Sequence, residues 1–172
     1  MSSKLNKKTA LVLATWFGLG LSPKAPGTCG SLGAFPLLFL LAYCKRFCFI
    51  SYLLLTASLL FFIGVWATKE ITKNSSDKDP GKVVIDEVVG QLLTFFPLAC
   101  FFVFSGKSFE FYWPFLFLGF LLFRFFDIKK LGLVKHFDEQ GDAWGVMLDD
   151  VFAGLYAGIV LLIAYLVSVP WL

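Results

Sequence analysis

Three stretches of this 172-residue chain contain no charged residue at all: Phe47–Thr68, Val88–Gly106 and Val151–Leu172. A helix rises about 1.5 Å per residue, so each is close to the roughly 20 residues that cross a hydrocarbon core of about 30 Å. The composition points the same way, with 58% hydrophobic and 16% charged residues against about 45–50% and 25% in soluble domains. Two shorter windows follow the same logic. Ser31–Cys44 ends at Lys45 and Arg46 and crosses only if those two snorkel at the far interface, while Phe111–Phe123 is bounded by Glu110 and Arg124. Thr9–Leu21 is interrupted by Gly18 and Gly20, follows Lys4, Lys7 and Lys8, and is stopped by Pro23. It reads as an interfacial or re-entrant helix; a cleaved signal peptide is disfavoured because no Ala-x-Ala pattern follows. The expected fold is an all-α, polytopic integral membrane helical bundle. It has about four to five transmembrane helices plus the short N-terminal interfacial or re-entrant helix, and forms one domain over residues 1–172.

Charge sets the orientation. With the amino terminus inside and five crossings, Lys4, Lys7, Lys8, Lys24, Lys69, Lys73, Lys78, Lys82, Arg124, Lys129, Lys130 and Lys135 fall on or near one face, twelve of the fifteen basic residues. Only Lys45, Arg46 and Lys107 fall opposite. The crowded side is therefore expected to be cytoplasmic. A net charge of +3, scattered between apolar blocks, is no nucleic-acid footprint. The one histidine, His136, cannot build a paired-histidine phosphatase site, and Cys29, Cys44, Cys48 and Cys100 form no CxxC pair.

The acidic residues carry the chemistry. Asp86 and Glu87 open one long window, Asp127 sits just past the Phe111–Phe123 window, and Asp149 with Asp150 opens the last. On this topology all five reach the cytoplasmic interface. Charge at the edge of a span is costly and is usually paired, metal-bound or turned to a watery pocket. The helix macrodipole alone would favour Asp86, Glu87, Asp149 and Asp150 at helix N-termini. It disfavours Asp127 after a C-terminus, although Arg124 and Lys130 flank that residue as local partners. Carboxylates gathered at one depth repel unless a cation separates them, and all-oxygen ligation suits Mg²⁺. Such an ion neutralises developing charge and lowers the pKa of a bound water, so hydrolytic phosphoryl transfer is expected.

A second block runs from Ser22 to Ser31, with Pro23, Pro26, Gly27 and Gly30. On pattern alone it is first a proline–glycine turn between two helices. Thr28 or Ser31 can cap the next helix, and free N–H groups beside Lys24 also make it a phosphate cradle. It is not a Walker loop. Asp77-Lys78-Asp79 lies in a polar loop and reads as solvated, with Asp79 near enough to Asp86 in sequence to join the metal cluster.

With these blocks in view, the sequence resembles the phosphatidylglycerophosphatase A family. The family's Pro-x-x-Pro-Gly-Thr-x-Gly-Ser appears as Pro23–Ser31, and its Asp followed by Ile/Val-Val-x-Asp-Glu-x-x-Gly appears as Asp79 and then Val83–Gly90. Its Phe-Arg-x-x-Asp-x-x-Lys is Phe123–Lys130, and its closing Gly-Ile-Met-Ile-Asp-Asp-x-x-Ala-Gly is Gly145–Gly154. The resemblance implies a Mg²⁺-dependent enzyme of the bacterial cytoplasmic (inner) membrane, with its active site facing the cytoplasm. Such an enzyme removes the terminal phosphate of phosphatidylglycerophosphate, giving phosphatidylglycerol and phosphate. The chain departs from the pattern after Lys130, where Leu131-Gly132-Leu133 replaces the usual Pro-x-Pro, and at Gly141–Trp144.

The expected catalytic set is Asp86, Glu87, Asp127, Asp149 and Asp150, which with Asp79 surround one or two Mg²⁺ ions. Lys24, Thr28, Ser31, Arg124 and Lys130 are expected to hold the substrate phosphate. Adjacent helical residues point about 100° apart, so one member of each acidic pair is expected behind the ion or as general base. Two alternatives are a phosphatase for another lipid phosphate and an ion-coupled transporter. A transporter would place its carboxylates near the midplane between broken helices.

Overall fold

The computed structural model describes residues 2–44, 46–75, 77, 80–105, 107 and 112–168, with side chains from residue 5 onward and without that of Cys44. Lys45, Lys78, Asp79 and Glu110, and the window ends at Gly106, Phe111 and Leu172, lie outside the described residues. Within them the chain is all helical: α1 (Ser2–Ala14), α2 (Pro26–Cys44), α3 (Phe49–Thr72), α4 (Ile85–Thr94), α5 (Phe96–Ser105), α6 (Trp113–Lys129), α7 (Leu133–Asp138) and α8 (Ala143–Ser168).

Three segments are long and apolar enough to cross a membrane, Pro26–Tyr43, Arg46–Thr72 and Ala143–Ser168, and a fourth exists if α4 and α5 count as one. The count falls at the lower end of the expected range for a physical reason. The Val88–Gly106 window is not one straight helix: α4 and α5 meet at a 42° bend. Pro97 has no N–H to continue the ladder, and the Thr94 hydroxyl donates back to the Gly90 carbonyl at 3.0 Å, a pairing that bends helices. Among the described residues helix α6 has 17 residues, about 25 Å at helical rise, at the lower limit for a crossing.

Other boundaries also differ from the sequence reading. Helix α8 starts at Ala143, well before Val151, because Asp142 Oδ1 accepts the N–H groups of Trp144 at 3.0 Å and Gly145 at 2.7 Å and so caps it. Asp149 and Asp150 are therefore inside the helix, beyond the reach of first-turn dipole stabilisation. Helix α6 runs on to Lys129, which puts Asp127 in its last turn instead of past its end. Thr9–Leu21 is not one helix: α1 ends at Ala14, and Trp16, Phe17 and Gly18 turn through positive φ. Arg46 does not snorkel outward. It turns inward to donate to the carbonyls of Phe102 and Lys107 and stacks over the Phe102 ring.

Helix α4 forms the centre, with Ile85, Asp86, Val88–Leu92 and Thr94 buried. Helix α8 lies along it so closely that a Cβ on Gly154 would come within 2.3 Å of the Gly90 carbonyl oxygen. One apolar core joins Leu38, Phe49, Leu92, Phe95, Tyr112 and Leu161; a second joins α1 to α3, α4 and α8 through Ala10, Ala14, Val65, Ile85 and Met147. The outside is apolar too, with Leu40, Leu55, Phe62, Leu121, Ile159 and Ile163 exposed. In a polytopic bundle that surface is the one that faces lipid.

Candidate active site

The starts of α2 and α4, the end of α6 and the second turn of α8 meet at one end of the bundle. Asp86 and Glu87 from α4 and Asp150 from α8 each offer a carboxylate oxygen, and these oxygens lie within 4.8 Å of one another. Asp86, Asp149 and Asp150 are buried, at 6%, 5% and 3% exposure. The two acidic pairs are built alike. Asp86 Oδ1 accepts the Glu87 N–H at 3.0 Å, and Asp149 Oδ1 accepts the Asp150 N–H at 2.8 Å.

Within the second pair the roles divide. Asp150 faces the α4 acids, whereas Asp149 Oδ2 is held by Lys130 Nζ at 2.5 Å, an ammonium that also grips Asp138 Oδ1 of α7 at 2.7 Å. Burial works to lower the Lys130 pKa, but Asp149 and Asp138 outweigh it and hold the ammonium above the ordinary lysine range. Its charge is thus committed to these two carboxylates.

Arg124, one turn before the end of α6, is the other cation. Its Nη1 lies 2.6 Å from Asp127 Oδ2 and 4.0 Å from Glu87 Oε1, and donates to Ser31 Oγ at 3.4 Å. The fully buried Ser31 hydroxyl in turn donates to the Gly27 carbonyl at 2.9 Å. Asp127 is close enough for its charge to act on Glu87, Asp149 and Asp150. Helix α2 begins on Pro26, whose missing N–H suits a first helical position. Gly27 then brings backbone against the site, since a Cβ there would stand 2.3 Å from Glu87 Oε1. Thr28 is half-buried in the same turn, and Lys24 is exposed in the loop before it.

So the structure brings Asp86, Glu87, Asp127, Asp149, Asp150, Arg124, Ser31 and Lys130 together. It leaves Lys24 at the exposed rim, while Asp79 lies outside the described residues. Among the described residues six carboxylates, Asp138 included, face two cationic side chains, an excess of negative charge that a divalent cation would offset. Among the described residues six buried side-chain N or O atoms have no hydrogen-bond partner, and five of them sit on Glu87, Gln91, Arg124 and Asp150. Glu87 Oε2 and Asp150 Oδ1 are two of these, and hard carboxylate oxygens left over in this way fit a hard cation. Sequence reasoning missed Gln91 and Asp138. An amide inside an apolar window was the available signal for Gln91. Asp138 lies in a polar stretch with nothing to single it out.

A family profile described as Phosphatidylglycerophosphatase A matches residues 12–165. A phosphatidylglycerophosphatase A of Haemophilus influenzae is 36% identical over 150 residues, covering 87% of this chain and 84% of that protein. The Escherichia coli phosphatidylglycerophosphatase A is 33% identical over 156 residues, 90% of this chain and 83% of its own length. A Bacteroides thetaiotaomicron protein, provisionally named a phosphatidylinositol-3-phosphatase, is 36% identical over 156 residues, 90% of this chain and 92% of that one. No solved structure matches.

Proposed function

The chain belongs to the phosphatidylglycerophosphatase A family of membrane phosphatases, and from that membership we propose that it hydrolyses phosphatidylglycerophosphate to phosphatidylglycerol and phosphate, with Mg²⁺, at the cytoplasmic face of a bacterial inner membrane. The observation that carries this reading is the meeting of Asp86, Glu87 and Asp150 within 4.8 Å, beside an arginine fixed by Asp127.

Bound Mg²⁺ would neutralise charge on the phosphoryl oxygens and lower the pKa of an attacking water. Asp86, Glu87 and Asp150 would hold it. Asp127 and Ser31 set the Arg124 guanidinium, whose planar fork matches phosphate oxygens. The first-turn N–H groups of α2 at Gly27 and Thr28, left without intrahelical acceptors, would add donors with the helix dipole behind them. Lys130 would neutralise Asp149 through their 2.5 Å bridge. Hydrolysis joins the water oxygen to phosphorus and breaks the P–O bond to the glycerol, which leaves as an alcohol. The cytoplasmic placement is supported by Lys24, Lys82, Lys129 and Lys130, which flank the starts of α2 and α4 and the end of α6.

The similarity to the Bacteroides protein favours a second reading, the same chemistry on a different phosphorylated lipid. Purified protein in mixed micelles, given phosphatidylglycerophosphate, phosphatidate, phosphatidylinositol 3-phosphate or a polyprenyl diphosphate with and without EDTA, separates the two. Fastest phosphate release from phosphatidylglycerophosphate, stopped by EDTA, is expected. Preference for the inositol lipid would install the second reading, and release indifferent to EDTA would remove the metal.

A further inference from the structure

Gln91 lies one turn beyond Glu87 on α4 and is 0% exposed, yet neither its Nε2 nor its Oε1 has a hydrogen-bond partner. An amide sealed from solvent without partners is costly, and a native fold that carries one calls for a reason. The buried hydroxyl of Thr94 on the same helix is satisfied, since it donates to the Gly90 carbonyl. Residues four apart share a helix face, and helical side chains lean toward the N-terminus, so the Gln91 amide leans up toward the turn that holds Glu87. There Glu87 Oε2 is itself buried and unpartnered. A donor without an acceptor and an acceptor without a donor thus belong to residues that share one face of one helix, a turn apart.

We propose that Gln91 is a positioning residue of the active site, its Nε2 orienting the Glu87 carboxylate when that carboxylate holds the cation with Asp86 and Asp150. This rests on the reading of the three acids as a Mg²⁺ site. The frustrated amide is a stability cost in the metal-free protein, and it becomes a charge-assisted hydrogen bond in the loaded one. Groups behind a metal ligand typically change metal affinity by about 10- to 100-fold.

Gln91→Met, equal in length and flexibility but apolar, tests this in three measurements on the full-length protein in detergent. Metal-free Gln91→Met should unfold about 2–4 °C above wild type, because the unpartnered amide is gone. The Mg²⁺ concentration at half-maximal thermal shift should rise about 10- to 100-fold. The kcat for phosphate release should fall by a similar factor, about 10- to 100-fold, with KM for the lipid within about 3-fold. A residue that merely supports the fold would give the opposite first result, and a lowered metal-free Tm would overturn the proposal. So would a Mg²⁺ response and kcat equal to wild type in a wild-type background that responds to Mg²⁺. If the wild-type protein shows no Mg²⁺-dependent shift at all, the metal-site reading falls and this inference falls with it.

Discussion

Gly27→Ala is the substitution whose effect can be worked most fully from the geometry. A methyl at Gly27 would stand 2.3 Å from Glu87 Oε1 and 3.0 and 3.1 Å from the two terminal nitrogens of Arg124. Ordinary contact begins at 3.4 Å, so the carboxylate must retreat by about 1 Å. The atoms that move are the far ends of flexible side chains, and the helical backbone is not asked to shift. Stability should therefore barely change, since a compatible glycine-to-alanine change is worth about 0.4–1 kcal/mol in the stabilising direction and the side-chain displacement opposes it. Catalysis is less forgiving, because a misplacement of about 1 Å costs on the order of 100-fold. The expected outcome is a Tm within about 3 °C of wild type and a kcat on phosphatidylglycerophosphate reduced about 100-fold. Thermal unfolding and phosphate release measured on the same preparation read both. Wild-type kcat in a folded Gly27→Ala protein would refute the reasoning, since it would show that Glu87 and Arg124 can move without consequence for the reaction.

Gly154→Ala makes the opposite kind of clash, 2.3 Å from the Gly90 carbonyl oxygen and 3.1 Å from Gly90 Cα. Backbone cannot step aside, so a loss of about 1–3 kcal/mol and a Tm lowered by several degrees are expected in thermal unfolding; an unchanged Tm would contradict the close α4–α8 crossing. Asp127→Asn keeps the shape beside Arg124 but removes the charge that fixes it at 2.6 Å, and should abolish phosphate release with little loss of folded protein; normal turnover would take Asp127 out of the site. Lys130→Met strands Asp149, whose side chain is 6% exposed, without its ammonium. It should destabilise by about 1–3 kcal/mol, read by denaturant unfolding, and adding Asp149→Asn should restore most of the loss; no effect from the single change would show the bridge to be idle.

The charge-free windows were legible because hydrocarbon excludes charge, so the spans at Phe47–Thr68 and Val151–Leu172 announce themselves by composition. The same signal hides what happens inside an apolar run. Hydropathy continues unbroken past Thr94, and only Pro97 hints that α4 and α5 part there. It also hides helix that begins in mixed sequence: α8 starts at Ala143 because Asp142 caps it, two turns before apolarity takes over. The gathering of the carboxylates at one end of the bundle was readable from topology. Their division of labour was not, because it depends on how each helix is rotated. Asp150 turns to α4 and Asp149 to Lys130, although they are neighbours in the chain. Gln91 stayed unnoticed beside its charged neighbours, since one amide in an apolar helix looks unremarkable until its burial and lack of partners are seen.

On the proposed function, acids from α4 and α8 grip a shared divalent cation. Mn²⁺, a spectroscopic substitute for Mg²⁺ with similar oxygen ligation, tests it directly by electron paramagnetic resonance titration of the purified protein. Saturable binding to wild type that is displaced by excess Mg²⁺ and lost in both Asp86→Asn and Asp150→Asn is the predicted result. Undiminished Mn²⁺ binding in either folded variant would contradict it.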